Sequence, residues 1–173
     1  KKKKIVLIFT KDSTIEKNFK NINIKTIIYK KKKKKHLIVK KINEKNITLN
    51  IVFFFTLLPK IIWNLPIYKT INIHYSLLYS YAGPNPLDWQ IHNNEKESGV
   101  TVLFISDKID NGPIIVQNKI NISNKSKLTI IKDLNDLGKK CVLKGINLIE
   151  KYKTEVPIIE SKYKYSYYSY YNR

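Results

Sequence analysis

The chain has 173 residues, 43% of them hydrophobic, and a formal net charge of +20. That apolar content supports one domain with a proper core and excludes a disordered tail; a single cysteine excludes an internal disulfide. No run approaches the ~18 apolar residues of a membrane span.

In chain order, Lys1 to Lys4 followed by apolar residues 5–9 mimics a signal peptide. The run is too short for one, no small-residue cleavage site follows, and a first buried strand explains it better. Asp12 and Ser13 cap an expected helix over residues 13–19. Residues 24–29 read as a second strand. Six consecutive lysines, 30–35, then form a solvated loop, because like charges cannot share a core. Residues 37–46 have helical spacing. Residues 50–55, with no polar alternation, predict a strand buried on both faces. Pro59 starts a helical turn, and Pro66 precedes a short strand at 71–74. Gly83-Pro84-Asn85-Pro86 makes residues 76–86 a loop. A helix follows at 87–93, then two strands, 100–106 and 113–122, around a turn at 107–112. Apolar spacing from 128 to 152 predicts a long amphipathic helix against the sheet. Residues 162–173, rich in Tyr and Ser, read as a linker or frayed end. Strands alternating with helices imply an α/β fold with a largely parallel sheet and its site at the carboxyl ends of the strands.

Asn72, His74 and an acidic residue in the 107–112 turn stand in two loops, each at the end of a strand-like run. Such a trio suits acyl chemistry: an imidazole polarises a carbonyl oxygen, an amide orients it, and a carboxylate governs the imidazole. Other polar candidates have simpler readings. His36 borders the basic loop, and His92 lies in a polar helix. Asp107 forms a turn. Cys141 sits among Val142, Leu143 and Ile146 as a small buried hydrophobe, while Trp63 and Trp89 pack. No Cys/His cluster suggests a metal. The charge admits two sources: selection for a polyanionic partner, or drift toward AT-rich codons, since Lys, Ile, Asn, Tyr and Phe abound while Ala82 and Arg173 are alone of their kinds.

Several motifs in order resemble the folate-dependent formyltransferase family, in its methionyl-tRNA branch. They are Asn72-Ile73-His74-Tyr75-Ser76-Leu77-Leu78, then Gly83, then Gly99-Val100-Thr101, then Asp107-Lys108-Ile109-Asp110-Asn111-Gly112. Leu57-Leu58-Pro59-Lys60 and Leu65-Pro66, with the Pro59-to-Asn72 spacing, fit that branch. The purine-pathway branch has an early Gly/Ser-rich phosphate loop, whereas Phe9-Thr10-Lys11-Asp12-Ser13 has no glycine to close tightly on a phosphate.

The resemblance implies a three-layer, mostly parallel Rossmann-like sheet with a long C-terminal helix. It implies a catalytic domain over residues 1–152 and a tail or linker over 153–173, with no C-terminal barrel domain. It implies transfer of a formyl group from 10-formyltetrahydrofolate, as co-substrate and without a metal, to the amino group of initiator methionyl-tRNA. Asn72, His74 and Asp110 would be catalytic. Leu57, Leu58, Ser76, Leu77, Ile105, Asp107 and Ile109 would line the folate site. Lys30, Lys31, Lys32, Lys33, Lys34 and Lys35 would touch tRNA phosphates. A cytoplasmic monomer in a bacterial or bacterial-like cell is expected. Tyr75 and Tyr79 stand where the family has prolines, and Ala82 where it has a basic residue, so a looser loop around His74 is expected. The alternatives are a sugar-nucleotide N-formyltransferase and a degenerate homologue that only binds tRNA.

Overall fold

The computed structural model describes residues 7–10, 25–28, 35–53 and 57–170. The expected helix over 13–19 and lysines 30–34 lie outside them. The chain divides into two units, Lys1–Ile47 with Phe55–Pro66, and Thr48–Phe54 with Ile67–Arg173.

In the first unit, β1 (Leu7–Thr10) pairs in parallel with β2 (Lys25–Ile28), Leu7 opposite Lys25. Helix α1 (Lys35–Glu44) buries Ile38 and Ile42, one turn apart on a single face. They meet Ile62 of the short helix α2 (Lys60–Trp63), with Leu58 packed alongside. Pro59 stands at the N-terminus of α2, where a missing N–H costs nothing. Trp63 is buried, as a packing residue should be.

The second unit is built on four strands: β3 (Asn50–Phe53), β4 (Thr70–His74), β5 (Glu97–Phe104) and β6 (Ile114–Asn121), in spatial order β3-β4-β5-β6. The β3·β4 pair is parallel, whereas β4·β5 and β5·β6 are antiparallel. The sheet is therefore mixed, and less parallel than strand–helix alternation suggests. Residues 105–113 are too few for the crossover that a parallel β5·β6 pair needs, so the chain returns as a hairpin. Strand β3 is also more open than expected. Ile51 is 44% and Phe53 40% exposed.

Helix α3 (Pro86–His92) precedes β5, and helix α4 (Lys127–Tyr152) lies across β5 and β6, burying Ile130, Leu134, Cys141 and Ile149 against Val100, Val102 and Ile115. Ser126 caps it, its hydroxyl accepting from the Thr129 N–H at 3.2 Å. Gly138 lets the helix close on Tyr75: a Cβ there would stand 3.2 Å from the phenol oxygen. Asn118 donates to the Cys141 sulfur at 3.4 Å, and burial pushes that thiol's pKa up.

The opposite face of β5 and β6 carries a second cluster, Leu78, Ala82, Leu103 and Ile114. The segment after α4 covers it. Ile159 N–H donates to Ile114 C=O at 2.7 Å, and Ser161 Oγ donates to Leu78 C=O at 2.5 Å. Residues 153–170 are therefore strapped down, not frayed. Lys162, Tyr163, Lys164 and Tyr165 alternate exposed and half-buried, the period of an extended strand. Tyrosines supply enough apolar area to hold it.

Two expectations follow. Ser98 Oγ is buried with no hydrogen-bond partner, on the helix-facing side of β5 with Val100 and Val102. Ser98→Ala removes an unsatisfied hydroxyl, which costs ~1–3 kcal/mol when buried. The variant is expected to melt at the parent temperature or up to about 4 °C above it by circular dichroism. Tyr75 donates to Asn135 Oδ1 at 2.7 Å, and burial pushes its phenol up to about 12. Its stabilising contribution is complete below the unfolded value of about 10 and is lost as pH rises toward 12. Tyr75→Phe is expected to be less stable by about 1 kcal/mol near neutrality, with the gap narrowing between about pH 10 and 12 in parallel denaturation curves.

Candidate functional site

Strand alternation places Asn72 and His74, two residues apart, on one side of β4 at its carboxyl end. The 105–113 turn brings Asp110 to the same point, with a left-handed backbone (φ 45°) that Asp tolerates better than most residues. Asn72 Nδ2 donates to Asp110 Oδ1 at 3.1 Å. Asp110 Oδ2 faces His74 Nδ1 at 3.5 Å and accepts from the Gly83 N–H at 2.9 Å. Gly83 has φ +105°, and a Cβ there would stand 2.3 Å from the Tyr168 carbonyl oxygen. A glycine is required on both counts.

The other imidazole nitrogen is also engaged. His74 Nε2 lies 2.8 Å from the Tyr81 carbonyl oxygen. A carbonyl only accepts, so Nε2 carries a proton and Nδ1 is the nitrogen turned toward Asp110. The ring is buried, with its carboxylate partner mostly so. An amide N–H, an imidazole and a carboxylate thus converge at one partly dry point. That set can stabilise an oxyanion and pass a proton.

The loop after His74 is tied by side chains. Thr101 Oγ1 donates to Ser76 C=O at 2.7 Å and accepts from Leu78 N–H at 3.2 Å. Gln117 Nε2 donates to Leu78 C=O at 2.7 Å, and Gln90 Nε2 to Tyr75 C=O at 2.9 Å. Tyr79 Oη donates to Gly112 C=O at 3.2 Å, linking the loop to the Asp110 turn. These ties restrain the loop in which the two family prolines are missing. Tyr75 and Tyr79 are themselves anchors. Ala82 is fully buried and makes backbone bonds only to the strap.

The residues expected to line a folate site stand in three segments of the chain, 57–58, 76–77 and 105–109. Ser76 and Leu77 turn inward, Ser76 Oγ donating to Ser80 C=O at 2.7 Å. Ile105 N–H donates to Thr70 C=O at 2.9 Å, and Asp107 is exposed. Ile109 C=O accepts from Tyr165 Oη at 3.0 Å, and Lys108 Nζ sits 3.9 Å over the Tyr165 ring. Leu57, 72% exposed, and Leu58 belong to the first unit. Lys35 opens α1, while His36 and His92 are exposed. Trp89 Nε1 donates to Ser169 C=O at 2.9 Å. Among the described residues no group of His, Cys, Asp or Glu is disposed to hold a metal ion, and no helix is long and apolar enough to cross a membrane.

Sequence reasoning missed Thr101, Gln117, Gln90, Tyr81 and the strap. Their ties run through backbone groups on one side or the other, which leave no mark in a side-chain motif; only Thr101 fell within a quoted pattern.

Known proteins match both the sequence and the fold. A family model described as formyl transferase matches residues 2–146. The methionyl-tRNA formyltransferase of Azobacteroides pseudotrichonymphae genomovar. CFP2 is 41% identical over 122 residues, 70% of this chain and 38% of that protein. The chain thus spans little more than a third of the length of that curated relative. Among solved structures, the phosphoribosylglycinamide formyltransferase of Anaplasma phagocytophilum superposes with a TM-score of 0.78 at 20% identity, covering 97% of this chain and 86% of that one. HypX from Aquifex aeolicus, solved with tetrahydrofolic acid, gives 0.72 at 19% identity over 96% of this chain and 30% of its own. The two structures share the fold, and the family model spans the strands and loops that bring Asn72, His74 and Asp110 together. The chain belongs to the formyl transferase family.

Proposed function

We propose that this chain transfers a formyl group from 10-formyltetrahydrofolate to the amino group of methionyl-tRNA, as a monomer in a bacterial-type cytoplasm. The convergence of Asn72, His74 and Asp110 within 3.1–3.5 Å carries the reading. A relative 41% identical and named for that reaction supports the choice of acceptor, as does the charge of +20.

In this reading the acceptor amine attacks the formyl carbon, forming a C–N bond and moving the carbonyl electrons onto oxygen. Asn72 Nδ2–H and His74 Nδ1–H donate to that oxyanion. Asp110 pairs with the imidazolium and takes the amine proton through water. Collapse of the intermediate breaks the bond to the folate nitrogen, which takes up the proton that Asp110 received and leaves as tetrahydrofolate. Lys30 to Lys35 contribute phosphate contacts without base reading, since lysine lacks the bidentate fork of arginine.

The test incubates the protein with 10-formyltetrahydrofolate and methionyl-tRNA and measures formyl-methionine after deacylation. Formation of product is expected, with Asn72→Ala and His74→Ala each reducing kcat by about 10²–10³. No product with tRNA still bound would make this a binding protein; product only with an amino-sugar nucleotide would move the acceptor to that class. Binding of tRNA is expected to weaken about 10³-fold between about 50 and about 200 mM salt if six lysines each neutralise a phosphate. A filter-binding titration at four salt concentrations gives the slope.

A further inference from the structure

We propose that Ser166, in the segment after α4, is a positioning residue for His74, acting through the backbone of Tyr81. The proposal rests on His74 being the group that meets the formyl oxygen.

The Tyr81 carbonyl oxygen accepts from His74 Nε2 at 2.8 Å. That carbonyl shares a planar peptide with the Ala82 N–H, so fixing the N–H fixes where the oxygen points. The Ala82 N–H donates to Ser166 C=O at 2.9 Å. The peptide on the other side of Tyr81 is held too: the Tyr81 N–H donates to Ser166 Oγ at 3.1 Å. Ser166 N–H donates to Tyr79 C=O at 3.0 Å. One residue therefore spends all three of its polar groups on the three loop residues 79, 81 and 82. Its neighbour Tyr168 adds a further pair of ties. Its N–H donates to Ala82 C=O at 2.8 Å, and its ring stacks on the Tyr81 ring at 4.8 Å and 15°.

The consequence is a choice of tautomer. In a neutral imidazole one nitrogen carries the proton, and a fixed acceptor at the other site decides which. Two acceptors flank the ring, the Tyr81 carbonyl at 2.8 Å from Nε2 and Asp110 Oδ2 at 3.5 Å from Nδ1; only the nearer is at hydrogen-bonding distance, so the proton of the neutral ring sits on Nε2 and the Nδ1 lone pair faces the reaction centre. Protonation then places the new N–H on Nδ1, toward Asp110. If the carbonyl swings away, Nε2 loses its acceptor and the ring is free to carry its proton on either nitrogen. Ser166 thus sets which nitrogen performs chemistry without touching a substrate.

The test is nitrogen-15 NMR of the His74 imidazole on the intact chain at high pH, where the neutral tautomer is read directly. His74→Gln identifies the resonance. The parent is expected to hold the Nε2–H form almost entirely. Ser166→Ala removes the Oγ tie to the Tyr81 N–H and leaves the two backbone ties; with Tyr81 then held from one side only, a mixture of the two forms is expected, and Ser166→Thr, which keeps a hydroxyl, restores the parent spectrum. Ser161→Ala removes a strap hydrogen bond of the same kind at Leu78 C=O, which does not reach Tyr81; it is expected to leave the tautomer unchanged. In the formyl transfer assay, Ser166→Ala should reduce kcat about tenfold with the folate KM unchanged. An unchanged tautomer in Ser166→Ala overturns the proposal, whatever happens to kcat. A changed tautomer equally present in Ser161→Ala overturns it as well, because the effect would then be general loosening. If the parent transfers no formyl group while the tautomer moves as expected, the positioning role stands and the proposed reaction fails.

Discussion

The Asp110 carboxylate is the joint on which the site depends. Its two oxygens take an amide N–H from the end of β4 and a peptide N–H from the glycine of the following loop, and one of them stands 3.5 Å from an imidazole nitrogen. Three separate stretches of chain meet at one charged group, and hydrogen bonds to charge are worth more than neutral ones, ~1.5–3 kcal/mol each. The left-handed backbone at Asp110 is what aims the carboxylate inward from a tight turn. Without it, Asn72, Gly83 and His74 would each lose a partner in a place where water cannot fully replace it.

Around that joint the chain has exchanged one kind of restraint for another. A proline restrains a loop by narrowing its unfolded conformations. Tyr75 and Tyr79 restrain theirs in the folded state, each by reaching a partner well away in sequence: Asn135 on α4 and Gly112 in the Asp110 turn. The first device needs nothing else in the protein. The second makes the geometry near His74 depend on how α4 and the 105–113 turn are packed, so damage at a distance is felt at the site.

What could be read from the sequence divides along physical lines. Helices α1 and α4 were legible because their apolar residues recur at helical spacing, and the trio was legible because residues i and i+2 of a strand share a face. Burial of β3 was misjudged, since an apolar run does not reveal whether a strand has neighbours on both sides. The sheet was judged too parallel because alternation of element types outweighed the short 107–112 turn, which demanded a hairpin. The strap reads from its Tyr- and Ser-rich composition as a linker or frayed end, although its Lys/Tyr alternation has the period of a strand. Its function was invisible for a deeper reason: Ser166 works through peptide groups, and any sequence has peptide groups.

Burial of Cys141 has a practical side. The only sulfur nucleophile in the chain sits on the buried face of α4, fully covered, with its thiolate disfavoured by that burial. For reagents that alkylate thiols, the folded protein behaves as if it had no cysteine at all. A cysteine introduced on the strap or the loop would therefore be labelled alone, and a fluorophore or spin label placed there would report on those segments without any prior removal of native residues.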